Sequence, residues 1–210
     1  MMLAALLVPL LVLKRTSACP PNITAPTNGT RTTPEPACHT AYASSLVMLH
    51  SLRPNTSVVP SRFFMLRRQT PNDMQVAMQV QFSGLPTGAY ACHLNLAMPA
   101  PDFATIHGPN PVFDIYAVEP ELDALPTWTT YQGNGTNLTV VGTVSGEKKA
   151  LKEARRSGTV AVGSVNCNQT LTFQMGLKYD GGDDVNYWGF VDVSPAAVPS
   201  QGWRVVYFCT

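Results

Sequence analysis

Gln75-Val-Ala-Met-Gln-Val-Gln-Phe82 is the stretch that decides the fold class. Val76, Met78, Val80 and Phe82 share one parity, and Gln75, Gln79 and Gln81 share the other. Successive side chains of a strand point to opposite faces, so a period of two describes a strand with one face toward a core. The period recurs in Tyr90, Cys92, Leu94, Leu96 and Met98, with His93 and Asn95 on the opposite, outward parity. It recurs in Leu171, Phe173, Met175 and Leu177, and in Trp203, Val205, Tyr207 and Cys209. Further β-type runs lie at 62–67, 112–118, 138–144, 159–165 and 188–193, separated by Gly, Pro, Asn and Asp. About nine short strands joined by turns predict an all-β chain, an antiparallel, jelly-roll-like β-sandwich spanning residues 44–210.

One segment breaks the rhythm. Ser145 to Gly158 reads SGEKKALKEARRSG, with five basic and two acidic residues between glycine brackets. Its good helix formers predict a short helix between two strands. Such a charge run serves either as a small basic docking patch or protease-sensitive loop, or simply as a solvated connection.

Upstream of the strands the composition changes. Residues 19–43 are rich in Pro and Thr, which predicts a disordered, extended, glycosylated segment rather than part of a core. Before it, Leu3 to Leu13 is apolar apart from Pro9, followed by Lys14-Arg15 and Thr16-Ser17-Ala18. A bilayer-spanning helix needs about 20 apolar residues, so this run reads as a signal peptide over residues 1–18, cleaved after Ala18. The basic pair follows the apolar run instead of preceding it, and admits a trimming step after Arg15. The expected location is secreted, extracellular or cell-wall, with no transmembrane segment in the mature chain.

Six Asn-x-Ser/Thr sequons agree with that location: Asn22, Asn28, Asn55, Asn134, Asn137 and Asn168, out of 11 asparagines. Only 13% of residues are charged, against about 25% in typical domains, so attached sugar would supply surface hydration. A net charge of +1 gives no broad footprint for nucleic acid. Five cysteines, at 19, 38, 92, 167 and 209, are too widely spaced for a zinc site and read as disulfides with one left over, Cys19 being the expected remainder. Cys92, Cys167 and Cys209 share the inward parity of their strands. Cys209 is expected to bond Cys92, where one strand begins and the other ends; Cys167 is the second choice, and Cys38 takes whichever is left.

A search for chemistry finds none of the compact motifs. The sequence lacks Gly-x-Ser-x-Gly, His-Glu-x-x-His and both phosphate-binding glycine patterns. The histidines at 39, 50, 93 and 107 are scattered. Glu119, Glu121 and Asp123 alternate beside a proline, and Asp180-Gly-Gly-Asp183-Asp184 has calcium-type oxygens, but both read as turns. Trp128, Tyr131, Tyr187, Trp188 and Trp203 would stack sugars if exposed and fill a core if not. No catalytic residue, metal or cofactor is expected.

Three stretches carry a resemblance: Gly88-Ala-Tyr-Ala-Cys92-His-Leu-Asn-Leu-Ala-Met-Pro99, Ser164-Val-Asn-Cys167-Asn-Gln-Thr-Leu-Thr-Phe-Gln-Met175, and Gly202-Trp-Arg-Val-Val-Tyr-Phe-Cys209-Thr. Together, over roughly residues 44–210, the chain resembles the fungal family named for the C-terminal domain of the ubiquitin 3 binding protein, the But family. The resemblance implies a secreted, β-rich, cysteine-bearing protein associated with the cell wall and without established activity. The basic insertion at 145–158 and the strand Arg62–Arg68 depart from it, and secretion argues against a ubiquitin partner. The expectation is a non-catalytic, structural or adhesive glycoprotein whose partners are cell-wall polysaccharide or other wall proteins. A carbohydrate-binding module and a glycan-active enzyme are the alternatives.

Overall fold

The computed structural model describes residues 37–69, 74–119, 125–131, 138, 140–178, 184–193 and 200–209. Residues 1–36, which include the expected signal peptide, Cys19 and the sequons Asn22 and Asn28, lie outside them, as do Asn134 and Asn137.

The described residues form an antiparallel β-sandwich of twelve strands. These are β1 (Ala37–Tyr42), β2 (Ser45–His50), β3 (Phe63–Gln69), β4 (Met74–Ser83), β5 (Ala89–Ala97), β6 (Ala104–His107), β7 (Val112–Val118), β8 (Val140–Ser145), β9 (Thr159–Val165), β10 (Thr170–Leu177), β11 (Asn186–Val191) and β12 (Gly202–Cys209). One helix, α1 (Lys148–Ser157), joins β8 to β9. The smaller sheet has the order β1-β12-β5-β9. The larger runs β6-β11-β3-β4-β10-β7-β8, with β2 also paired to β4.

Alternation places the core as expected. Met78, Val80 and Phe82 of β4 pair in register with Met175, Phe173 and Leu171 of β10, and these side chains point inward. Cys92, Leu94 and Leu96 of β5 face them with Trp203 and Val205 of β12. Aromatic rings join the layers: Phe64 stacks on Phe190 at 4.8 Å and meets Trp203 of the other sheet at 5.6 Å, while Phe113 lies edge-on to Trp188 at 5.2 Å. Each such ring, removed from water, stabilises the fold by about 2–3 kcal/mol. The Trp188 indole N–H, buried with it, donates to the Pro111 carbonyl at 2.7 Å.

Three strands go beyond the sequence expectation. β1 falls inside the segment 19–43 assigned to disorder, yet Ala37–Tyr42 pairs along its length with β12. The domain therefore begins at or before Ala37, not at residue 44. An edge strand needs backbone pairing more than an apolar face, so Pro- and Thr-rich surroundings hide it. β2 shows no alternation because both its faces are covered: Leu46 joins the main core while Val47 and Leu49 join a second cluster. β6 is only four residues long.

The second cluster corrects another expectation. Alternation alone assigns the glutamine face of β4 to water. Instead Val47, Leu49 and Ala77 are buried there, with Trp128 and Tyr131 packed on them. Gln174 Nε2 donates to Gln79 Oε1 at 3.0 Å and to the Thr130 carbonyl at 3.2 Å, so both buried glutamines have partners. Asn95, likewise expected to face out, is buried and donates to the His93 carbonyl at 3.1 Å. A bulge at Ala91, with φ of +52°, breaks the row that begins at Tyr90. Tyr90 stacks on Phe208 at 5.9 Å instead of joining Cys92.

The disulfide differs as well. Cys92 bonds Cys167, with Cα atoms 5.4 Å apart, and Cys209 is the free thiol. Strand register explains it. Cys92 lies opposite Val165 of β9, so Cys167, two residues on, keeps the same parity. Cys209 lies opposite Ala89, three residues and about 10 Å along β5 from Cys92, beyond the usual Cα reach of a disulfide. Cys38 is disulfide-bonded.

Candidate functional site

A groove lies where the two sheets part, between β9 of one and β7, β8 and β10 of the other. Its volume is about 760 Å³, and Val141, Val165, Leu171 and Phe173 line its apolar part. A neighbouring groove of about 450 Å³ runs past Pro86, Cys167 and Gln169. Both are bordered by Glu119, at the end of β7, and by Asn168, in the turn between β9 and β10. These residues meet because β9 and β10 belong to different sheets and the turn joining them spans the open side.

The described lining offers one carboxylate, that of Glu119, with the hydroxyls of Ser164, Thr170 and Thr172 and the amide of Asn168. Such a set can hydrogen-bond an uncharged, hydroxyl-rich group over an apolar floor. Acid–base cleavage of a glycoside needs two carboxyl groups about 5–9.5 Å apart. Asp184 does not supply the second. It precedes β11, at the end of the sheet where β10 finishes at Leu177, whereas Glu119 follows the Val118 end of β7, which pairs with β10 over six residues, about 20 Å of strand. Glu121, Asp123, Asp180 and Asp183 lie outside the described residues.

The aromatic residues divide. Trp188 and Trp203 are 0% and 1% exposed and belong to the core, so neither offers a face to sugar. Trp128 is half-buried beside Tyr131, at 5.1 Å between rings. Burial pushes the Tyr131 hydroxyl well above the usual tyrosine range. Tyr187 stacks on His107 at 5.0 Å. The other histidines are dispersed: His39 stacks on Tyr207, His93 Nδ1 lies 2.9 Å from Ser164 Oγ, and His50 accepts the Leu52 N–H at 3.2 Å. Burial, with Arg53 and Arg67 nearby, lowers the pKa of His50. Among the described residues no three His, Cys, Asp or Glu side chains gather in a way that would hold a metal.

Two sequons fall on described residues. Asn55 and Asn168 are both exposed on connecting loops. Asn55 Oδ1 accepts the Thr129 hydroxyl at 3.1 Å, through the carbonyl oxygen and not the nitrogen that carries sugar.

Sequence reasoning missed Asp192. It is 3% exposed, and its carboxylate accepts the backbone N–H of Trp203. Burial pushes its pKa up to about 6, although the Trp203 N–H and the Arg62 guanidinium pull the other way. The single acid between Val191 and Val193 was its only signal, and Gly202 makes room for it: a Cβ there would lie 2.2 Å from Asp192 Oδ2.

Compared with protein-family models and with curated proteins, the chain matches none. Among the described residues no helix is long and apolar enough to cross a membrane.

Proposed function

We propose that this protein is a secreted, N-glycosylated, non-catalytic β-sandwich protein with a structural or adhesive role in the extracellular space or cell wall, of the kind its resemblance to the fungal But family suggests. The observation that carries this reading is the Cys92–Cys167 disulfide, which ties β5 to the turn that leads from β9 of its own sheet to β10 of the other. Such bonds persist in oxidising compartments and are rare in the cytosol. The leader sequence and the exposed sequons Asn55 and Asn168 support the same location. The burial of Trp188 and Trp203 and the lone described carboxylate of the groove favour a non-catalytic role over sugar cleavage.

Expression in a eukaryotic secretory host tests it. The protein is expected in the medium, migrating well above 22.7 kDa and shifting down after enzymatic removal of N-glycans. Retention in the cytosol without a shift would overturn the reading. Polysaccharide hydrolysis by purified protein, lost on Glu119→Gln, would overturn its non-catalytic part.

A further inference from the structure

Helix α1 carries five of the chain's 14 lysines and arginines, although the net charge is only +1. An α-helix turns about 100° per residue, so Lys148, Lys149, Lys152 and Arg156 fall within an arc of about 100°. All four are exposed, while Leu151, outside that arc, is buried in the main core. From 148 to 156 the strip is about 12 Å long.

This arrangement works against the helix. Lys148 and Lys149 occupy its first turn, where the macrodipole is positive and anions are favoured. Glu147 stands at the N-cap without a side-chain cap hydrogen bond. Lys148 and Lys152, and again Lys152 and Arg156, are like-charge neighbours one turn apart. Glu153 is spaced to pair with Lys149 and Arg156, yet the only salt bridge among the described residues is Lys178–Asp114, elsewhere on the surface. Arg156 sits in the last turn, where the macrodipole favours a cation, but neither helix stability nor ion pairing accounts for Lys148, Lys149 and Lys152.

We propose that the exposed face of α1 is a docking site for an acidic polysaccharide. A row of unpaired cations complements a polymer with regularly spaced sulfate or carboxylate groups. The site is less suited to a membrane surface, because an interfacial helix inserts its apolar face and that of α1 is engaged in the core through Leu151. No aromatic residue lies on the helix to stack bases, and the choice of polysaccharide over nucleic acid rests on the extracellular reading above.

Heparin serves as the probe, with purified, enzymatically deglycosylated full-length protein. The wild type is expected to bind heparin, ignore neutral dextran, and weaken steeply with added salt. The variant Lys148→Gln/Lys149→Gln/Lys152→Gln/Arg156→Gln is expected to lose at least tenfold in affinity while its melting temperature holds or rises, since like charges have been removed. Equal heparin binding by wild type and variant overturns the proposal, as does tighter binding of the wild type to phosphatidylserine vesicles or duplex DNA at matched salt. A secreted protein that ignores heparin overturns the docking site alone. A cytosolic protein overturns the choice of polysaccharide together with the extracellular reading, whatever heparin does.

Discussion

The carboxylate of Asp192 accepts the backbone N–H of Trp203 at 2.8 Å, joining the end of β11 to the start of β12 and so one sheet to the other. Its pKa, about 6 against an ordinary 3.8, makes this contact sensitive to pH. The folded state holds the proton more tightly than the unfolded state. That contribution to stability is full below about pH 4 and is lost as pH rises through 6. The loss is about 3 kcal/mol at most, from a pKa difference near two units. Asp192→Asn keeps an acceptor for Trp203 but does not ionise. Between pH 4 and 6.5 the urea midpoint of the wild type should fall relative to that of the variant. Parallel profiles for the two proteins would refute this.

The Cys92–Cys167 bond should be worth about 2–4 kcal/mol, because it restrains a long loop of the unfolded chain. Cys92→Ala/Cys167→Ala is expected to lose that much stability and Cys209→Ala far less. In non-reducing peptide maps Cys209 should be the alkylated cysteine and Cys92 and Cys167 should appear in one linked peptide. A peptide joining Cys92 to Cys209 would refute the pairing.

Gly176 lies directly beneath Tyr131: a Cβ there would sit 2.0 Å from the phenol oxygen, far inside contact distance. Gly176→Ala should push Tyr131 and its neighbour Trp128 off the outer face of β4 and β10. Overpacking of this kind costs about 1–3 kcal/mol. Because Trp188 and Trp203 are buried, iodide should quench mainly Trp128 in the wild type, and more strongly in the variant. Unchanged quenching and stability would show that Tyr131 and Trp128 tolerate the methyl group.

Asn55 and Asn168 stand on exposed loops with their amide nitrogens available to sugar. Asn55→Gln and Asn168→Gln are each expected to increase gel mobility by one glycan step in protein secreted from a eukaryotic host. Identical mobility of wild type and either variant would mark that sequon as unoccupied.

How much of this was legible in sequence depended on whether a strand's two faces differ in residue type. β4, β5, β10 and β12 turn large apolar side chains to the main core and mostly polar or small ones to the other face, so Met78, Leu94, Phe173 and Val205 announce them by parity. β2 is covered on both sides and β1 is held by backbone pairing, so neither leaves that trace. The lid formed by Trp128 and Tyr131 escaped notice because its partners, Val47 and Ala77, are distant in sequence. Disulfide pairing needs register: Cys92 is opposite Val165, and only that relation selects Cys167 over Cys209. The basic helix at 148–157 was visible because its charges interrupt the alternation, but its lack of ion pairs required coordinates.

β1 and β12 lie side by side and antiparallel, with Ala37 opposite Cys209 and Tyr42 opposite Arg204. Residues 37 and 209 are therefore neighbours at one end of the seam. Traction applied through those two points pulls across the ladder, and its hydrogen bonds open one after another like a zipper. Traction along the strands would have to shear them all together and would meet far greater resistance. Under load, this seam yields early when pulled apart at residues 37 and 209 and late when sheared along its strands.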